Sequence, residues 1–322
     1  MLCAPSGIVG SPFDRRELPI YLQSWIVEIA ERHNSAQQVT VVENGEIVGS
    51  LVSSPCKNSL GMRQAYNLPW ARLGGPVIAE GIDQSSRERI LRQLIAQLPT
   101  NVSYFLTIAT EYDYNVFLAA GFQPDTEDNY LFPPEQPAVL QSGFSKMTKR
   151  HVRKAQEHLT VSTTSPASFI QIYANDLSLR RREPCAALAI PLDILEEAMR
   201  RGQARMTTAC RRDTGEIDAA VACPWDATNY YYWMTTRRVA VEGQSRPHQG
   251  AVKLLLWTAV QDAHARGLTF DFDGAASGRS GVAKLYKEMG AQKSVRLRVK
   301  RETRTERIVG WLRTFGKVMT LK

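Results

Sequence analysis

Two carboxylates and a lysine late in the chain are the residue types that accept protons and steady negative charge. In Leu268-Thr269-Phe270-Asp271-Phe272-Asp273, apolar and polar residues alternate strictly, the period of a strand with one buried face. Leu268, Phe270 and Phe272 are expected in the core, with Thr269, Asp271 and Asp273 on the opposite face. Carboxylates so placed can take a proton from an amine or orient it, or they can brace Arg279 or Lys284. Further on, Val282, Leu285, Tyr286 and Met289 form the apolar stripe of a short helix, and Lys287 falls off that stripe. Other chemistries have less support. Ser277-Gly278-Arg279-Ser280-Gly281 breaks the G-x-S-x-G spacing of a nucleophile elbow at Val282, and no Asp/His partner is apparent. Cys3, Cys56, Cys185, Cys210 and Cys223 contain no C-x-x-C pair. His33, His151, His158, His248 and His264 have no partner at H-x-x-x-H spacing, so no metal is expected.

The elements that must position these residues occur twice. Residues 43–53 (ENGEIVGSLVS) and 213–223 (DTGEIDAAVAC) share one turn-and-strand pattern. An amphipathic helix closing on glycine recurs as VFLAAGF at 116–122 and LYKEMGA at 285–291. Recurrence at nearly the same offset, without low-complexity sequence, points to a duplicated domain. Where the second copy has Lys287 the first has Leu118, so one half is expected to support and the other to carry the chemistry. The boundaries expected are 1–137, 138–303 and a C-terminal amphipathic helix over 304–322.

In the first half the pattern predicts a helix within 17–33, the hairpin at Asn44-Gly45, an irregular segment over 67–80, a helix over 85–97 and a strand over 103–110. A short helix over 113–120 and a strand near 129–132 follow, and the Pro-rich FPPEQPAV closes the domain. The second half opens on the basic helix 144–158, N-capped by Ser145, and continues with helices near 166–179 and 191–202. A hairpin at Thr214-Gly215, the aromatic strand 230–236, a helix over 250–266 stopping at Gly267, the 268–273 strand, a short helix and the strand VRLRVK complete it. The fold class expected is α/β, two tandem units each with a mixed sheet flanked by helices.

With 322 residues, 43% hydrophobic and 22% charged, the composition is that of a soluble globular protein large enough for two cores. No apolar run approaches the roughly 18–20 residues of a membrane span. The first residues lack the basic start and long apolar stretch of a secretory signal, so a cytoplasmic location is the expectation. A net charge of +8 and a pI near 9.3 favour an anionic partner: a coenzyme, a nucleotide-linked substrate, RNA or an acidic membrane surface. Lys146, Lys149, Arg150, Arg153 and Lys154 share one helix and, with Arg180–Arg182, can bind phosphates or form a solvated face. Ile308, Trp311, Leu312, Phe315, Val318 and Met319 form a terminal stripe suited to an anionic membrane surface, with docking on the protein preferred.

Residues 254–291, LLLWTAVQDAHARGLTFDFDGAASGRSGVAKLYKEMGA, resemble the helix–Gly–strand–DxxG–(Y/F)K signature of the Fem-like branch of the GNAT acyltransferase superfamily, whose members carry two such domains in tandem. NLPWARLGGP at 67–76 is similar to that branch's acceptor-side segment. The resemblance implies acyl transfer to an amine. The donor is an acyl-coenzyme A, acetyl before others, or an aminoacyl-tRNA used on a cell-envelope precursor; a catalytically silent binding module is the remaining reading. No DNA partner is expected. The resemblance also places Lys287 at the lysine given a transition-state role. Trp70, Tyr232, Arg279 and Tyr286 are the expected substrate contacts. The superfamily's pyrophosphate turn, Q/R-x-x-G-x-G/A, corresponds to Arg246-Pro247-His248-Gln249-Gly250-Ala251, with Gln249 where the middle glycine belongs.

Overall fold

Left-handed backbone at Asn44 (φ 53°) and Gly45 (φ 83°) turns the first expected hairpin, joining β1 (Gln37–Glu43) to β2 (Glu46–Lys57). The computed structural model describes residues 17–180, 188–240, 245–274 and 280–309. The chain divides into two units, one made of residues up to Thr126 with those from Arg296 onward, the other of Glu127–Val295.

In the first unit a 3-10 turn (Ile20–Leu22) and α1 (Ser24–Arg32) precede the hairpin. Different stretches of β2 pair with β3 (Arg63–Tyr66) and β4 (Gly75–Ile78), so the irregular 67–80 segment delivers a short strand. After α2 (Gln84–Ala96), β5 (Ser103–Ile108) runs parallel to β3. The chain's last strand, β13 (Gln292–Arg301), sends Leu297–Arg301 antiparallel along β5. Ile90, Leu91 and Leu94 of α2 are completely buried against this sheet. Then α3 (Glu111–Ala119) ends on Gly121, φ 87°.

The strand expected near 129–132 is longer: β6 spans Gln123–Phe132 and is divided between the units. The proline-rich segment does not end structure there. Pro137 occupies the first turn of α4 (Pro137–Ser142), a position where the missing N–H costs nothing. The boundaries expected at 137/138 and 303/304 therefore stand against unit limits at 126/127 and 295/296, set within β6 and β13.

The second unit continues with α5 (Lys146–His158), capped by Ser145, whose Oγ accepts from the Thr148 amide at 3.1 Å. β7 (Leu159–Thr163), α6 (Pro166–Leu179) and α7 (Ala189–Arg200) lead to β8 (Ala204–Arg211) and β9 (Ile217–Pro224). The aromatic strand expected over 230–236 is broken into β10 (Asn229–Tyr231) and β11 (Met234–Arg237). An antiparallel sheet has the order β11-β9-β8-β7. α8 (Ala251–Ala265) packs on it with Leu255, Leu256, Val260 and Ala263 essentially solvent-free. β12 (Thr269–Asp271) pairs in parallel with β10 and antiparallel with β6, and α9 (Ser280–Glu288) follows. The terminal helix begins over 304–309, with Ile308 exposed; Trp311 to Met319 of the expected stripe lie outside the described residues.

The repeated sequence produces repeated detail. Each hairpin carries a register shift on its first strand, between Val41 and Val42 and between Ala209 and Cys210. Each glycine-closed helix ends in the same pair of reverse bonds. Gly121 N donates to Leu118 O and Phe122 N to Phe117 O; Gly290 N donates to Lys287 O and Ala291 N to Tyr286 O.

Candidate active site

The parallel pairing of β10 with β12 stops abruptly. Tyr231 pairs with Asp271, and Tyr232 N still donates to Asp271 O at 2.8 Å. Trp233 N then turns to Ala222 O at 3.2 Å, and β11 stays with β9. Past these residues the two parallel strands part, and the region beyond the carboxyl ends of parallel strands is the usual ligand location in such sheets.

The chain bends at the same point. Asp273 (φ 60°) and Gly274 (φ 85°) adopt left-handed backbone, so the strand expected across 268–273 is regular only as far as Asp271, while Phe272 still packs beside Phe270. Asp271 Oδ1 accepts from the Asp273 amide at 2.7 Å, and Asn129 Oδ1 accepts from the Gly274 amide at 2.8 Å. Both aspartates are buried, at 8% and 3% exposure, together with Phe270 and Phe272. A carboxylate on a bend held by side-chain bonds is fixed in place, which suits a proton acceptor.

α9 brings its own pair to this corner. The Tyr286 ring lies 4.2 Å from Phe272, 5.6 Å from Tyr130 and 6.2 Å from Tyr232, and is 4% exposed. The next residue, Lys287, is exposed in the last turn of α9, where the helix dipole favours a cation. Among the described residues Lys287 has no ion-pair partner; the neighbouring Glu288 is bonded to Lys253 Nζ at 3.0 Å. Lys253 also donates to Thr148 Oγ1 at 3.0 Å, and Ser145 N donates to Glu288 O at 2.8 Å, so the helix carrying Lys287 is tied to α5 and α8.

The turn before α8 is occupied by the protein itself. Asp218 on β9 is completely buried, and its Oδ2 accepts from the His248 amide at 2.8 Å. Its Oδ1 accepts from Arg238 Nη2 at 2.8 Å and from Arg211 Nε at 3.2 Å. The Gly250 amide donates to His248 Nδ1 at 3.1 Å, and the Ala251 amide to His248 O at 3.1 Å. Arg246 and Gln249 are exposed, and the Arg246 carbonyl accepts from Arg211. Burial is outweighed at Asp218 by the His248 amide and the two guanidinium groups, which hold its carboxyl below the usual range. A coenzyme pyrophosphate needs those amides free and a positive site. Here the His248, Gly250 and Ala251 amides end on protein acceptors and a resident carboxylate holds the first of them, so these three amides do not fit the group as they stand.

Of the expected contacts, Asp271, Asp273, Tyr232 and Tyr286 converge on one corner of the second unit, with Lys287 on the adjoining turn. The residues 246–251 form a separate feature at the start of α8. Trp70 belongs to the first unit, half-buried with φ 66°, and Arg279 lies outside the described residues. Sequence reasoning missed Asp218 and Asn129. Asp218 left one signal, a lone carboxylate inside the apolar run Ile217–Val221.

Residues 142–288 match the acetyltransferase (GNAT) domain family. The match covers less than half of the chain, and over most of its length the fold is like that of the Fem-like structures. FemX is similar with a TM-score of 0.61 and 12% identity, over 85% of this chain and 90% of that one. The C-terminal DUF2156 domain of a putative lysylphosphatidylglycerol synthetase from Agrobacterium fabrum gives 0.59 and 10%, over 90% of each chain. L-PGS from Bacillus licheniformis gives 0.57 and 12%, over 96% of this chain and 98% of that one. At such identities the likeness is one of fold. No curated protein sequence matches the chain.

Proposed function

We propose that the protein transfers an aminoacyl group from charged tRNA to an amine acceptor of the cell envelope at the β12–α9 corner. The amine nitrogen attacks the ester carbonyl, a C–N bond forms and the carbonyl oxygen becomes an oxyanion. Collapse breaks the C–O bond, and the ribose hydroxyl leaves with the proton the amine gives up. Lys287 supplies positive charge to the oxyanion, and Asp271, fixed by the bend at Asp273, carries the proton. Tyr286 and Tyr232 wall the acyl group away from water.

The observation that carries the choice of donor is the turn before α8, where the His248, Gly250 and Ala251 amides end on Asp218 and His248. An ester donor held through its RNA needs no pyrophosphate seat there. The second reading, acetyl transfer from acetyl-coenzyme A, is favoured by the acetyltransferase domain match over 142–288. Filter retention of charged tRNA and calorimetry with acetyl- and succinyl-coenzyme A separate the two. Retained charged tRNA and no heat from either thioester are expected. Saturable thioester binding that disappears in Arg246→Ala would replace the first reading with the second.

A further inference from the structure

α4 and α5 wall an open groove of about 650 Å³ in the second unit. One side presents Lys146, Lys149, Arg150 and Arg153, and the other presents Gln141 and Ser142. No carboxylate lines it, and among the described residues none of its four cations is ion-paired. Lys149 Nζ donates to Ser142 O at 3.0 Å and so ties the two walls together. Lys146, Arg150 and Arg153 follow one ridge at i, i+4 and i+7, a row of about 10 Å at 1.5 Å per residue.

This ridge is held rigidly from behind. Thr148, Val152 and Ala155 are buried, Thr148 accepts from Lys253, and α8 approaches so closely that a Cβ at Gly250 would stand 2.3 Å from His151 O. A fixed row of unpaired cations matches phosphates in series, because one phosphate occupies only part of that length. The lining contains no aromatic ring on which a base could stack, leaving the backbone as the feature recognised. The exposed apolar residues of the same helices, Val139 and Met147, are not in the lining, so the groove lacks the apolar contact a membrane-inserting surface would use.

We propose that the α4–α5 groove docks the phosphodiester backbone of an RNA strand without reading its bases. The inference rests on the charged-tRNA reading and assigns it a surface. Fluorescence anisotropy with uncharged tRNA, and with an unrelated RNA of equal length, tests it on wild type, Arg153→Glu and Lys154→Glu. The two variants change charge equally at neighbouring positions, but only Arg153 lines the groove. Wild type should bind both RNAs comparably at low salt. Arg153→Glu should weaken binding roughly tenfold or more and flatten the log–log salt slope by about 0.7–0.9, the change for one phosphate contact. Lys154→Glu should do much less. Equal losses in the two variants, or Arg153-dependent binding of phosphatidylglycerol vesicles in preference to RNA, would overturn the groove assignment. Aminoacyl transfer that survives Arg153→Glu unchanged sinks the groove and leaves the donor reading standing, whereas wild type that binds no RNA at low salt sinks both.

Discussion

At the scale of single residues, the comparison between the two copies separates support from chemistry. Phe117 and Leu118 of α3 occupy the positions that Tyr286 and Lys287 occupy in α9, relative to identical reverse bonds at the helix ends. One copy places a ring and an aliphatic chain there, the other a ring with a hydroxyl and a cation. Lys287 is exposed and tied to no carboxylate among the described residues, so its removal breaks no structural pair. Lys287→Ala should lower turnover by roughly 10²–10³, the effect of losing one oxyanion donor, while the melting temperature stays at the wild-type value. Full activity on the true substrate would remove Lys287 from the mechanism.

Among the elements, the glycine-closed helices give a paired test. Gly121 and Gly290 both have positive φ, 87° and 78°, but their surroundings differ. A Cβ on Gly121 meets nothing within 4 Å, whereas one on Gly290 would stand 2.7 Å from Gly143 O and 2.8 Å from Gly143 C. Gly121→Ala should cost about 1 kcal/mol, the strain of a left-handed alanine. Gly290→Ala should cost clearly more and lower activity too, because the α4–α5 connection must move and Lys287 belongs to the displaced turn. Urea unfolding with a parallel activity assay checks both; equal losses would contradict this account. Elements of this kind were legible in the sequence. The hairpins at Asn44-Gly45 and Thr214-Gly215, and α8 and α9, are written in local turn chemistry and apolar periodicity. The interruption after Tyr231, the Asn129 bond that completes the bend at Asp273, and the insertion of Asp218 beside His248 were not, since each depends on a partner distant in sequence. The alternation through Phe272 and Asp273 favoured a longer strand than the pairing with β6 and β10 sustains.

For the molecule as a whole, the histidines near the α8 turn set a pH dependence of stability. Burial first, then the charge of His158, pushes the His248 imidazole below its ordinary value of 6.5, and burial with Lys253 and Arg150 does the same for His151. The unfolded chain therefore binds more protons in this range, so stability present above about pH 6.5 is lost as pH falls. Protonation of His248 would also set an Nδ1–H against the Gly250 amide that now donates to it. Urea midpoints should drop between pH 7.5 and pH 5.5, and His248→Gln should reduce that drop, with His151 keeping the remainder. An unchanged slope in the variant would show that His248 does not titrate between the two states. The carboxylates whose values are lowered, Asp218 and Glu288 among them, titrate below this window and leave it clear.

The division of the chain has a consequence for its synthesis. Glu127–Val295 is one continuous stretch, but the first unit is completed only from Arg296 onward. Leu297–Arg301 supplies the strand beside β5, and Arg301 lies over the rings of Tyr104 and Phe122 and donates to the carbonyls of Leu98 and Pro99. On the ribosome the second unit's sequence thus emerges whole while the first, begun earlier, still waits for a neighbour along β5. The earlier half in sequence is the later one to finish, and translation that stops near Val295 leaves Ser103–Ile108 with an open edge toward other chains.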